Sequence, residues 1–222
     1  MGMERCSMRR LVMVGMAAAI AGGCSSDTVR TPAQPGAVSV PLTVEKHDGV
    51  AHNIGAHLSG EQEPTPAPPA PSPVDSLAQG QAILRIADDN LSFDYKLIAS
   101  NIENITQAHI HCGPPGMNGS IFIWLYPSVT STAALTTADG RHDGVLVEGT
   151  VMSTGPNHVR PVAPSATCPG GVANFAQALE KIRSGQAYVN VHTNNQVAPT
   201  NTGPGDFPGG EIRGQLGSPG DH

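Results

Sequence analysis

Charge is scarce in this sequence, and positive charge most of all. The 222 residues carry 12 Lys and Arg against 18 Asp and Glu, a net charge of −6. Binding to phosphate backbones needs clustered cations, so this balance argues against a nucleic-acid partner. Aromatic residues make up 4% of the chain, with one tryptophan. After the first 21 residues no apolar run is long enough to cross a bilayer as a helix. There is no phosphate-binding glycine loop, no paired-carboxylate motif and no serine-hydrolase elbow. The commonest routes to phosphoryl transfer, glycoside cleavage and serine hydrolysis are therefore missing.

What is abundant is punctuation: 26 glycines and 20 prolines. With low charge and few aromatics, they favour an all-β domain with many turns over a helical bundle. The chain starts differently. Arg5, Arg9 and Arg10 precede a short uncharged apolar run at 11–21, the layout of a secretory leader. The run ends in Ala21-Gly22-Gly23-Cys24-Ser25-Ser26, which resembles the lipobox of bacterial lipoproteins. The resemblance implies cleavage after Gly23 and a lipid on Cys24, with an ordinary secretory signal as the alternative. Ser25 lacks the aspartate that retains such proteins at the inner membrane, so the expected location is the outer membrane, facing the periplasm or the cell surface. Residues 1–23 are then a signal peptide, 24–50 a flexible tether rich in small and polar residues, and 51–218 the folded domain. Losing a leader with three Arg and one Glu leaves a mature chain near −8.

Of four cysteines, Cys6 leaves with the leader and Cys24 takes the lipid. Cys112 and Cys168 remain, in a protein exported to an oxidising compartment, where a disulfide between them is expected. The rival is Cys112 as a thiolate metal ligand beside His111.

Along the domain, strands are predicted at 54–60, 82–86, 91–97, 105–111, 121–126, 144–151, 186–192 and 210–216. Residues 91–97 alternate strictly, placing Leu91, Phe93, Tyr95 and Leu97 on one face. Residues 121–126, apolar on both faces, are expected to lie centrally. The proline cluster at 64–73 is expected to form an extended surface loop. One helix is expected, capped by Asn174, with Phe175, Ala178, Leu179 and Ile182 on its packing face and Gly185 at its end. This pattern predicts an antiparallel β-sandwich or Greek-key barrel with one short helix.

The chemistry centres on Ala108-His109-Ile110-His111-Cys112-Gly113. Histidines at i and i+2 share a face only in a strand, and a third, His192, ends the strand-like run Tyr188-Val189-Asn190-Val191-His192. Three imidazoles suit copper, or zinc as second choice, with an open fourth position. The alternative is a structural hydrogen-bond network with Asn190, Thr193 and Glu211 as partners. Glu211 or Glu61 is placed to orient a ring, and Asn190 also lies in this surrounding shell. Arg213 shares a strand face with Glu211 and can pair with it. Met117 is a soft ligand or a packing plug. His47, His52, His57 and His158 are expected to be solvated.

Four ordered motifs resemble the CHRD domain, the module repeated in chordin and found singly in many bacterial exported proteins. They are Leu58-Ser59-Gly60-Glu61-Gln62-Glu63-Pro64; Ala108-His109-Ile110-His111 with Gly116-Met117-Asn118-Gly119; Tyr188-Val189-Asn190-Val191-His192-Thr193; and Pro208-Gly209-Gly210-Glu211-Ile212-Arg213-Gly214-Gln215-Leu216. The resemblance spans residues 54–216. The His-x-His strand, the later Val-His and the terminal Gly-x-Arg-Gly pattern are also similar to copper/zinc superoxide dismutase. That second resemblance implies His109, His111 and His192 as copper ligands and Arg213 as a guide for superoxide. It lacks a clear metal-bridging histidine and a zinc loop, for which Arg141-His142-Asp143-Gly144 is a faint counterpart. No catalytic residue is assigned. The expected function is a lipid-anchored envelope binding module with a histidine metal site. The alternatives are a copper oxidoreductase acting on superoxide, or a structural or adhesive envelope protein. A protein partner is left open.

Overall fold

Alternating apolar residues become strands over most of the domain, as described by a computed structural model for residues 52–64, 74–135, 140–156 and 158–217. The expected leader and lipidation site Cys24, the expected tether with His47, and residues 65–73 of the proline cluster lie outside the described residues. The strands are β1 (Asn53–Ser59), β2 (Gln79–Ile86), β3 (Ser92–Ile102), β4 (Ile105–Cys112), β5 (Ile121–Tyr126), β6 (His142–Met152), β7 (Ala187–Thr193) and β8 (Ile212–Gln215). One helix, α1 (Phe175–Arg183), and a 3₁₀ turn at Gly60–Gln62 complete the elements. Among the described residues no helix is long and apolar enough to cross a membrane.

All pairings are antiparallel, in the order β5-β4-β7-β8-β1-β2-β3-β6. The sheet divides into β6-β3-β2-β1 and β8-β7-β4-β5, which join where Ser59 of β1 meets Arg213 of β8. At the other side β5 and β6 approach each other, so the sheet rolls into a nearly closed barrel. Rolling hides the sheet's edges and places one face of every strand around a common core. Leu58, Leu84, Phe93, Leu97, Ile110, Val189, Val191 and Ile212 are among the buried apolar residues there. The predicted all-β architecture with one short helix is the one observed.

Several details differ from expectation. Leu91 is not part of the buried face: β3 starts at Ser92, and Leu91 is 56% exposed in the turn before it. The Asp88-Asp89-Asn90 turn displaces it, with Asn90 at φ +56° and the Leu91 amide bonded to Asp89. Strand β5 ends the ladder rather than lying at its centre. It is still buried on both faces, because register shifts against β4 leave Phe122 and Leu125 unpaired in the ladder. Such bulges re-aim side chains. The final strand is shorter than predicted because Gly210 and Glu211 belong to a loop.

The helix follows its sequence signals closely. The Asn174 side chain accepts from the Gln177 amide, and Gln177 reaches back to the Ala173 amide. Phe175, Ala178, Leu179 and Ile182 are buried, and Phe175 stacks on Phe93 of the core. Gly185, at φ +70°, ends the helix in the left-handed region that glycine enters without strain. Cys112 and Cys168 form a disulfide that closes a separation of 56 residues and ties the excursion before α1 to the end of β4.

Candidate metal centre

The candidate site lies on the outer face of the barrel, not in its core. Along β4 and β7 the pairing runs without interruption from Gln107↔His192 to Cys112↔Ala187. Alternation then sends Ala108, Ile110 and Cys112 inward with Val189 and Val191. His109, His111, Tyr188, Asn190 and His192 share the opposite face, joined by Arg213 and Gln215 of β8 through the pairs Asn190↔Arg213 and Tyr188↔Gln215. An outer face is normally wet, yet every one of these residues is buried. The turn between β4 and β5, the Gly60–Gln62 turn with Glu63, and the loop before β8 cover them.

The three histidines come together as their spacing suggested. One ring nitrogen of each lies within 4.8 Å of the others, and His109 Nδ1 is 3.2 Å from His192 Nε2. His109 is fully buried, and His111 and His192 are nearly so. The hydrogen bonds settle the tautomers. Nδ1 of His111 lies 2.9 Å from the Gly119 carbonyl, and Nδ1 of His192 lies 2.9 Å from the Pro208 carbonyl. A carbonyl only accepts, so both Nδ1 atoms carry hydrogen and both Nε2 atoms present lone pairs. His109 Nδ1–H then donates to His192 Nε2, leaving a lone pair on His109 Nε2. Nε2 of His109 and Nε2 of His111 are buried without a hydrogen-bond partner.

The rings are held neutral. Burial lowers all three, and repulsion between rings adds to it at His109 and His111, taking His109 to about 2, His111 to about 3 and His192 to about 4. Neutral imidazole is the form that binds a metal ion. Trp124 packs against His109 in an edge geometry at 4.2 Å, and the Arg160 guanidinium lies over the Trp124 ring. Tyr188 stacks on His111 at 4.8 Å.

Arg213 is only 1% exposed. Its guanidinium lies 3.3 Å from the centre of the Tyr188 ring and donates to the carbonyls of Pro114 and Met117 and to Gln215 Oε1. It thereby fastens the covering turn over the histidines, and that turn supplies the Gly119 carbonyl that orients His111. Gly119 itself tolerates no side chain, since a Cβ there would lie 1.7 Å from the Cys112 carbonyl oxygen.

Glu211 does not reach the histidines or pair with Arg213. Its carboxylate accepts from Ser76 Oγ, Thr193 Oγ1 and the Gly205 amide, tying together three segments around the site. Glu61 is exposed. Asn190 Nδ2 donates to Glu63 Oε1 at 2.6 Å. Met117 is 43% exposed at the top of the covering turn. His57 is exposed, His52 and His158 are half-buried, and the Arg141–Asp143 ion pair is exposed at the start of β6.

Sequence reasoning missed Glu63, Tyr188 and the two carbonyls that orient the rings. Carbonyls leave no mark in residue identity, but Glu63 and Tyr188 stand inside the 58–64 and 188–193 motifs. Tyr188 occupies the His111-facing position of β7 by simple period-two counting. The family model of the CHRD domain matches residues 54–216. Comparisons with curated proteins and with solved structures give no match. The matched segment runs from the second residue of β1 to the residue after β8 and includes every site residue described above, and on that match the chain belongs to the CHRD domain family.

Proposed function

We propose that this chain is a lipid-anchored cell-envelope binding module whose CHRD domain holds one copper ion, with zinc as second choice, on His109, His111 and His192. The observation that carries the reading is the donor set: three buried neutral imidazoles, those of His111 and His192 with tautomers fixed by backbone carbonyls, and Nε2 of His109 and of His111 without a hydrogen-bond partner. Buried polar atoms without partners are uncommon in native proteins and ask for an explanation. A soft-to-borderline cation answers it, since nitrogen donors favour copper and zinc. The spacing also suits it. One ring nitrogen of each histidine lies within 4.8 Å of the others, close enough for ring movements to bring all three onto one ion. The lipobox ending in Cys24 supports export and anchoring.

Binding is favoured over turnover by what Arg213 does. A guide for an anionic substrate needs an exposed cation at the mouth of the site, and Arg213 spends its donors on three acceptors beneath the covering turn. The test is metal content of protein exported to the periplasm and purified without a His-tag, compared with the His109→Ala/His192→Ala variant. The expected result is about one copper or zinc per chain, lost in the folded variant. Absence of metal, even after copper is added back, would overturn the reading and leave the histidines as scaffold.

A further inference from the structure

A third buried polar atom on this face has no partner: Oδ1 of Asn190. Asn190 is 1% exposed and sits in β7 directly opposite His109, two residues before His192 on the same face. Its Nδ2 is committed to Glu63 Oε1. Glu63 follows the 3₁₀ turn after β1, and β1 adjoins β8 at Ser59↔Arg213, so Glu63 draws the amide nitrogen toward the β8 side. The amide is planar with its oxygen and nitrogen pointing apart, so Oδ1 faces away from the Glu63 carboxyl. Gly210, at φ +133°, closes over the group: a Cβ there would lie 2.5 Å from both Oδ1 and Nδ2 and 2.6 Å from Glu63 Oε1. The covering backbone approaches this closely only because residue 210 is glycine. The neighbourhood is thus built around an amide whose oxygen is dry and unused. All three unpartnered atoms on this face, His109 Nε2, His111 Nε2 and Asn190 Oδ1, are acceptors.

Three imidazoles leave the fourth position of a copper or zinc ion open, and water is its ordinary occupant. We propose that Asn190 Oδ1 accepts a hydrogen bond from that water, with Glu63 as the residue that locks the amide in the accepting orientation. The inference rests on the metal reading above and adds the fourth position to it. One polar group can then satisfy the orphaned amide oxygen and complete the coordination of the ion. Asn190 acts as a positioning residue through the bound water, and Glu63 acts through Asn190. Partners of this kind typically affect metal affinity by about 10- to 100-fold.

The experiment uses full-length protein loaded with Cu(II) alone. Affinity is read by competition with a chelator, and the bound water by pulsed electron paramagnetic resonance in D₂O against H₂O. Wild-type protein is expected to show exchangeable protons on a copper-bound water. Asn190→Leu is expected to bind copper about 10- to 100-fold more weakly and to lose or shift that signal. Glu63→Leu should weaken binding in the same way, and the double variant should be no weaker than Asn190→Leu, as expected of residues acting in series. Asn190→Asp keeps the oxygen and the shape and is expected to retain the water signal, which keeps the test informative if the leucine variant does not fold. Copper bound with no exchangeable water, or an Asn190→Leu affinity within twofold of wild type, overturns this proposal and leaves the three-histidine site standing. Failure of the wild-type protein to bind copper overturns both.

Discussion

Replacing Glu63 by Gln isolates the cost of burying one carboxyl group beside the histidine face. Glu63 is 6% exposed, and burial raises its pKa from 4.5 to about 8, outweighing the opposing pull of Arg213 and the hydrogen bond from Asn190. Below about pH 4.5 the carboxyl is protonated in both folded and unfolded chains, and the stabilisation from its neutral form is fully present. Between about 4.5 and 8 the unfolded chain releases the proton while the folded chain keeps it, so stability falls by about 1.4 kcal/mol per pH unit. Above about 8 both states are ionised and the loss levels off. Glu63→Gln is neutral at every pH and keeps an oxygen for Asn190 Nδ2. Relative to wild type, the variant should therefore gain roughly 3 kcal/mol between about pH 5 and pH 8. A small domain has roughly 5–15 kcal/mol in total, so the change is large enough to measure. The assay is urea unfolding of both metal-free proteins at several pH values, taken as a difference. The difference cancels the histidines, whose depressed values act with the opposite sign: their stabilisation is lost as pH falls below 6.5. A gap that stays constant within about 0.5 kcal/mol would show that Glu63 ionises freely in the fold, and the burial argument would fail.

Two further perturbations test the supports of the site. Removing the Cys112–Cys168 bridge by a double alanine substitution frees a 56-residue separation. The chain-entropy estimate for that loop is about 4 kcal/mol; a loss below about 1 kcal/mol by denaturant unfolding would mean that the unfolded chain is already constrained. Arg213→Met removes three hydrogen bonds from a charged donor and the contact with the Tyr188 ring. Each such bond is worth about 1.5–3 kcal/mol, so the expected loss exceeds about 3 kcal/mol, with new protease cleavage between residues 113 and 119. Arg213→Lys should recover little of it, because an ammonium lacks the planar fork that reaches two carbonyls at once. Unchanged stability and no new cleavage would remove Arg213 as the fastening of the turn.

Period-two alternation was enough to place His109 and His111 on one face and to set His192 apart from Val189 and Val191, because strand geometry leaves few other options. The cap at Asn174 and the stop at Gly185 were legible for the same reason: both act within a few residues of chain. Leu91 and β5 were misplaced where local pattern met a wider constraint, a turn in one case and bulges at the end of a ladder in the other. Local sequence determined which residues share a face, the class of fold, the helix and the expectation of a Cys112–Cys168 disulfide. Only the tertiary structure decided that the histidine face lies outside the barrel yet stays dry. That outcome depends on three covering segments distant in sequence, on carbonyls of Gly119 and Pro208 that orient the rings, and on Glu63 and Arg213 meeting the face from other strands and turns. Such contacts depend on how the barrel closes, and no local periodicity encodes them.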